Sequence, residues 1–194
     1  LPDSVCDDIG LNHGETFADY RSLVIYGQRT ADNRIAFGGR GAPYHLGSRI
    51  KNSYDLVPRV FRALERTLKD LFPQLADATI SHRWGGVLGV PRDWHASVTF
   101  DSATGLARAG GYVGDGVGLS HLAGLTLADL ITDTPSARTT LPMVNHVSPR
   151  WEPEPLRYLG ATAAITGVRL ADYVESRTGK PSIISRLIAP LTGH

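Results

Sequence analysis

Apolar positions recur at helical spacing in two long stretches and at alternate positions in several short ones, which predicts a chain of mixed helices and strands. The clearest helix is Tyr54–Leu75, where Val57, Phe61, Leu64, Leu68 and Leu71 form one stripe. Arg62, Glu65, Arg66, Lys69 and Asp70 lie mostly off it, Asp55 is a candidate cap, and Phe72-Pro73 ends it. Leu156–Arg177 predicts a second helix through Leu159, Ile165, Val168, Leu170, Ala171 and Val174, closed by Gly179 and Pro181. A last amphipathic piece, Ile183–Leu191, is interrupted by Pro190.

Ser22–Arg29 and Arg34–Gly38 are rich in strand formers, and Thr30-Ala31-Asp32-Asn33 between them is turn chemistry, so a hairpin is expected. Ala78–Val87 reads as a strand broken by Gly85-Gly86, and Ala96–Phe100 as another. Asp101–Gly105 then turns the chain into Leu106–Ala109, a short run read as a strand entering a core. Residues 1–20 predict loop with one helical turn. Thr134–Thr140 reads as a polar linker, and Asn145–Pro155 as a proline-punctuated surface wrap.

After Leu106–Ala109 come five glycines, Gly110, Gly111, Gly114, Gly116 and Gly118, and then a helical pattern through Leu119, Leu122, Leu127 and Ile131. Strand, glycine turn and helix start together leave backbone N–H groups open, with the helix dipole favouring negative charge. Gly111–Val117 therefore suits a phosphate or an anionic carbonyl oxygen. It suits tight strand–helix packing without a ligand equally well. The dinucleotide fingerprint G-x-G-x-x-G fails because Leu119 stands where the third glycine belongs. The P-loop Lys is absent, and Gly118-Leu119-Ser120-His121 misses the G-x-S-x-G elbow at Leu122. Ser120 and His121 are helix neighbours facing different ways, which makes a serine hydrolase a weak alternative.

Two further stretches concentrate chemistry. Gly39-Arg40-Gly41-Ala42-Pro43-Tyr44-His45 is a glycine-rich exit loop: a strand terminator, or a pocket mouth carrying Arg40, Tyr44 or His45. Arg83-Trp84-Gly85-Gly86 and Pro91-Arg92-Asp93-Trp94-His95 surround a bend with aromatic and charged groups. They form either a wall for a flat ligand or an aromatic packing corner.

Composition narrows the classes. With 194 residues, 42% of them hydrophobic, the chain makes one large or two small domains. Its 20 basic and 19 acidic residues nearly cancel, giving no case for nucleic acid or an anionic membrane as partner. Cys6 stands alone, so neither an internal disulfide nor a cysteine-rich zinc site is available, and a reducing, cytoplasmic setting fits. The seven histidines form no metal signature, so no metal is expected. No apolar run approaches the roughly 20 residues of a membrane span. Leu1-Pro2-Asp3-Ser4 opens without Met, as a processed chain or a piece of a longer one would.

The order of hairpin, GGRG loop, long helix, W-G-G with a following Asp, strand, A-G-G-Y-V-G-D-G-V and helix resembles the C-terminal half of FAD-dependent oxidoreductases of the D-amino-acid-oxidase type, a group that includes glycine, sarcosine and gamma-glutamylputrescine oxidases. The likeness is strongest from Tyr20 to Asp133. It implies that Gly110, Gly111, Tyr112, Val113, Gly114, Asp115, Gly116 and Val117 face the flavin near N1 and C2=O. It implies that Trp84, Gly85 and Gly86 lie beside the flavin, and that Ser22–Gly38 belongs to the substrate domain with Tyr44 and His45 at its edge. Arg40, Arg83 and Arg92 are the candidates to pair with a substrate carboxylate. No catalytic residue is assigned, because in such enzymes side chains mainly orient substrate while hydride leaves a C–H next to an amine for the flavin.

The N-terminal G-x-G-x-x-G that seats the FAD pyrophosphate is absent, as is the ribose-binding acid that follows it. The expectation is therefore an α+β portion of a longer oxidoreductase: an antiparallel substrate-domain sheet with packed helices, plus the returning strand–glycine turn–helix of an FAD-binding domain. Residues 1–80 are assigned to the substrate domain, 81–133 to the FAD-contacting return, and 134–194 to linker and C-terminal helices. The parent protein would oxidise a small-molecule amine or amino acid by hydride transfer to FAD, and the isolated chain would be inactive. The alternatives are a non-catalytic fragment or binding domain, and the Ser120/His121 hydrolase.

Overall fold

Two short antiparallel sheets and four helices make up the computed structural model, which describes residues 1–19 and 21–184. The chain divides into two units, one formed by Leu1–Gly86 with the described residues from Glu154 onward, the other by Val87–Pro153. The α+β expectation holds.

The first unit begins with helix α1, Asp3–Asp8, the single helical turn expected near the start. Strands β1 (Thr16–Ala18), β2 (Ile25–Arg29) and β3 (Ile35–Gly39) follow in antiparallel order. The hairpin between β2 and β3 closes as its turn residues dictate. Thr30 N–H donates to the Arg34 carbonyl, Asn33 takes φ +58°, and Thr30 Oγ1 bonds Asp32. β1 was not anticipated; three residues are too few to show a period. Its place is fixed by Phe17, which pairs with Gly27, itself paired with Phe37. Because Gly27 has no side chain, the Phe17 and Phe37 rings meet over it at 6.1 Å, and Phe72 closes the cluster edge-on at 5.2 Å.

Helix α2 spans Pro58–Leu71, shorter than the stripe suggested. Pro58 opens it, the Asn52–Tyr54 and Pro73–Leu75 turns flank it, and Val57 rather than Asp55 holds the cap position. Leu68 is buried, as are Cys6, Leu11, Ile25, Leu75 and Ala171 in the same unit. Helix α4, Leu156–Thr178, matches its pattern and ends on Gly179 at φ +63°. It is tied to the sheet by polar contacts that periodicity cannot show. The Asp172 carboxylate accepts from Ser22 N–H at 2.7 Å and Leu23 N–H at 2.9 Å, and Arg169 donates to the Gly41 carbonyl.

Ala78–Val87 forms no strand. It finds no strand partner among the described residues, and a backbone interrupted by two glycines gains little from remaining extended without one. Most of Ile183–Leu191 lies outside the described residues.

In the second unit, β4 (Ser97–Asp101) and β5 (Leu106–Gly110) form a hairpin. Asp101 accepts from Thr104 Oγ1 at 2.6 Å and Ala103 N–H at 3.0 Å, and Gly105 takes φ +71°. The other edge of β4 is held by residues 143–145: Val98 N–H donates to the Met143 carbonyl, and Asn145 N–H to the Val98 carbonyl, both at 2.8 Å. Helix α3, Gly116–Ile131, covers this arrangement, and Val98, Ala123 and Met143 are the buried centre. Tyr112, Leu122, Leu127 and Leu130 pack around them. β5 does not enter a core as expected. Leu106–Ala109 is exposed throughout, because only β4 pairs with it among the described residues.

A side chain at Gly27 would place its Cβ 2.3 Å from Phe17 Cζ. Gly27→Ala is expected to lower stability by about 1–3 kcal/mol in urea unfolding through overpacking. Gly124→Ala, in α3 with open space around it, should be neutral or stabilising by up to about 1 kcal/mol.

Candidate functional site

The glycine turn is shaped from both ends. The pairing of Gly110 with Ser97 pins the exit of β5. Gly111 then takes φ +78°, and a Cβ there would stand 2.9 Å from the His95 carbonyl oxygen and 3.1 Å from Pro91, so the close approach demands glycine. Val113, buried, takes φ +49°, and Gly114 takes φ +104°. Three left-handed residues among four make the sharp turn that carries the chain from β5 into α3.

The helix start stays open. Asp115 holds the cap position, but its side chain makes no cap bond, and its own N–H is used by the Tyr112 carbonyl at 2.9 Å. The N–H groups of Gly116, Val117 and Gly118 have no acceptor among the described residues. Val117 is 94% exposed, and nothing lies within 4 Å of where a Gly118 Cβ would be. The first turn of α3 therefore offers three donors at the positive end of a helix dipole. Asp115 is the one formal charge in the turn. It disfavours a phosphate dianion there and leaves a carbonyl oxygen gaining partial negative charge as the better guest.

The remaining candidates divide between the units. Trp84, Gly85 and Gly86 lie in the first, with Trp84 67% exposed. A Gly85 Cβ would fall 2.4 Å from the Asp55 carbonyl oxygen, whereas Gly86 has open space. Gly85 thus serves close backbone packing. Arg83 pairs with Glu65 at 3.3 Å, and Lys69 shares that carboxylate. Hydrogen bonding by Lys69, then Arg83, lowers the Glu65 pKa. Arg40 donates its backbone N–H to Val24. The His45 ring stacks on Tyr54 at 3.5 Å between centroids.

Tyr44 is engaged by a residue the sequence reading passed over. Its hydroxyl donates to Glu154 Oε1 at 2.6 Å, and the same carboxylate accepts from Gly47 N–H, Tyr158 N–H and Arg157 Nε. These bonds, Tyr44's foremost, hold the Glu154 pKa down at about 2. In the second unit Arg92 pairs with Glu152 at 3.1 Å and lies over the Trp151 ring. Beside it, Asp93 accepts from His146 Nε2 at 2.7 Å and from His95 N–H at 3.3 Å. Desolvation pushes Asp93 up, but hydrogen bonds from Ser148, His146 and His95 outweigh it and leave the pKa at about 2. Glu154, Asp93 and His146 carry no spacing signature. The hints were the charged and aromatic bend at 91–95, which contains Asp93, and the proline-punctuated stretch 145–155, which contains His146 and Glu154.

Ser120 and His121 do not assemble a nucleophile. Both are exposed, and the Ser120 hydroxyl reaches the Val117 carbonyl rather than an imidazole. Among the described residues no group of three His, Cys, Asp or Glu side chains could hold a metal ion, and no helix is long and apolar enough to cross a membrane.

Comparison with known proteins identifies the family. A family model described as "FAD dependent oxidoreductase" (DAO) matches residues 4–130. A "Probable oxidoreductase OrdL" of Rhizobium meliloti is 33% identical over 119 residues, covering 60% of this chain and 25% of the relative. One of the same name from Haemophilus influenzae is 28% identical over 138 residues, covering 68% of this chain and 27% of the relative. The chain thus spans about a quarter of the length of these curated relatives. No solved structure matches it.

Two measurements check this geometry. Asp93 and Glu154 have folded pKa values below their unfolded ones, so their contribution is complete above the unfolded values near pH ~4 and is lost as pH falls toward 2. Unfolding midpoints should fall through that acid window, and Asp93→Asn should flatten the fall. Gly85→Ala should lower the folding stability, read as a lower melting temperature, while Gly86→Ala leaves the stability within about 0.5 kcal/mol of the parent.

Proposed function

The chain belongs to the FAD-dependent oxidoreductase family, and we propose that in the complete protein its glycine turn holds the flavin while an amine or amino acid is oxidised. The observation that carries this reading is the open row of donors at Gly116, Val117 and Gly118, with no side-chain cap at Asp115. The flavin edge at N1 and C2=O gains negative charge on reduction, and fixed N–H dipoles stabilise charge of that kind. Bound FAD would supply the acceptor for a hydride leaving the C–H beside the substrate nitrogen.

The chain's own residues have three tasks in this scheme. Gly111 and Gly114 give the backbone the left-handed angles that aim the donors, and Tyr112, packed on the Val98–Ala123–Met143 core, keeps the turn from collapsing. Val117, apolar and exposed on the first turn of α3, would shed water on contact with the isoalloxazine ring. Trp84, Gly85 and Gly86 would flank the flavin, as the family resemblance implies. Arg40, Tyr44, His45, Arg83 and Arg92 remain the substrate-facing candidates. Among them Arg83 and Arg92 would have to exchange Glu65 and Glu152 for a substrate carboxylate. No proton-transferring side chain is assigned. The pyrophosphate of FAD would be seated by parts of the complete protein that this sequence does not contain.

The complete protein should purify with flavin absorbance, and anaerobic addition of substrate-class compounds should bleach it with amines or amino acids but not with 2-hydroxy acids. Gly114→Ala, which forces a side chain into φ +104°, should weaken FAD binding roughly tenfold, or about 1.4 kcal/mol, with circular dichroism unchanged. Flavin-free protein that FAD cannot reconstitute contradicts the reading.

A further inference from the structure

Arg40 stands at the open end of the β2–β3 hairpin. Its N–H donates to the Val24 carbonyl at 3.0 Å, which extends the ladder one residue past the Ile25–Gly39 pair. The glycines identify the two faces of the sheet. A Cβ on Gly39 would stand 2.8 Å from Leu64 Cδ2, on the side that α2 covers. A Cβ on Gly38 would stand 2.7 Å from Tyr26 Cε2, on the other side. Side chains alternate along a strand, so Arg40 shares the face of Gly38 and the exposed Tyr26 ring, opposite α2.

This strand end is fastened to α4. Arg169 donates to the Gly41 carbonyl, and Asp172, on the same face of the helix, accepts from Ser22 and Leu23 N–H. One side chain thus holds the residue after Arg40, and the other holds the residues that lead into Val24. Gly41 takes φ +117°, and a Cβ there would meet Leu23 Cδ2 at 3.0 Å, so the chain leaves the sheet along a fixed course directly after Arg40.

The other substrate-side candidates lack that footing. Arg83 lies in Ala78–Val87, which forms no strand, and Arg92 lies in an irregular bend. The Tyr44 hydroxyl gives its proton to Glu154 and accepts the Ser48 N–H. His45 Nε2 is buried, with its ring stacked on Tyr54.

We infer that Arg40 is the group that receives the substrate carboxylate, that Arg169 and Asp172 are its positioning residues, and that the substrates are therefore amino acids rather than simple amines. This rests on the reading of amine or amino-acid oxidation and narrows it. A guanidinium meets a carboxylate through two parallel N–H···O bonds, and such a fork discriminates best when its base is held still. The bonds on either side of Arg40 hold it so.

The test measures anaerobic flavin reduction by stopped flow in the FAD-loaded complete protein. The probes are the proteinogenic amino acids in both enantiomers, each beside the amine that lacks its α-carboxyl group. For the fastest-reduced pair, the amino acid should have an apparent Kd at least about tenfold below that of its amine. Arg40→Leu should raise the amino acid's Kd by about tenfold or more, with little change in limiting rate, and leave the amine's Kd as it was. Arg40→Lys should recover part of the loss. Arg169→Leu and Asp172→Ala should each raise the amino acid's Kd about threefold and spare the amine, as expected when a support rather than the contact is removed. Arg169→Lys and Asp172→Asn, which keep a donor for Gly41 and an acceptor for Ser22, should restore it. A loss shared equally by the amine, or an amine that binds as tightly as its amino acid, overturns the inference while the oxidation reading stands.

Acetate and benzoate carry no amine and test binding alone. In ¹⁵N-arginine-labelled complete protein, whether or not FAD is bound, they should shift the Arg40 Nε–H resonance, identified by its loss in Arg40→Lys. Movement confined to the Arg83 or Arg92 resonance, or no movement, contradicts the inference. A protein that no amino acid or amine reduces, but whose Arg40 resonance answers acetate, removes the oxidation reading and leaves the carboxylate site standing.

Discussion

Three backbone N–H groups at the start of α3 have no partner within the described chain, and much of the second unit makes sense as the means of keeping them so. Helix starts ordinarily satisfy such donors with a Ser, Thr, Asn or Asp side chain. Here Asp115 occupies the cap position and does not cap. Leaving the donors to solvent forfeits roughly 1 kcal/mol of capping stability, a cost that a ligand bearing an electron-rich oxygen can offset. A family that binds FAD supplies such a ligand.

The surrounding structure fixes where the donors point. β4 is bonded on both edges, to β5 and to residues 143–145, and its Val98 is fully buried beneath α3. Thr126 is also fully buried and returns its hydroxyl to the Leu122 carbonyl, so the helix brings no unsatisfied polar group into that core. At the far end of α3, Asp129 receives Ser136 Oγ and the Arg138 guanidinium, which anchors the chain as it leaves. The glycine turn is thus suspended between a hairpin and a helix that are each secured elsewhere. The first unit shows the same economy. Its three-stranded sheet is packed through Phe17, Phe37 and Phe72, and α4 is bound to it by Asp172 and Arg169.

Local chemistry was legible in the sequence wherever a period or a turn residue carried it. The Thr30–Asn33 hairpin, the β4–β5 pair, α3 and the Gly179 stop of α4 all follow from residue types within a few positions of one another. What the sequence did not show was long-range and polar. Asp172 reaches residues 22 and 23, Glu154 gathers Tyr44 and Gly47, and His146 reaches Asp93; nothing in spacing marks such pairs. β1 is too short to display alternation, and Ala78–Val87 has strand composition without a neighbouring strand. The turn at 110–117 was visible as a ligand cradle, but composition could not tell it from a packing turn. The absence of a cap at Asp115 could only be seen in coordinates.

The most direct test removes one of these donors. Val117 is exposed in the first turn of α3, where proline is tolerated and costs no intrahelical hydrogen bond. In the FAD-loaded complete protein, Val117→Pro should leave the fold intact, shift the ¹³C resonance of flavin C2 and lower the two-electron reduction potential by on the order of 30 mV, equivalent to about 1.4 kcal/mol of lost stabilisation of the reduced ring. An unchanged potential together with an unchanged C2 resonance would show that these amides do not face the flavin.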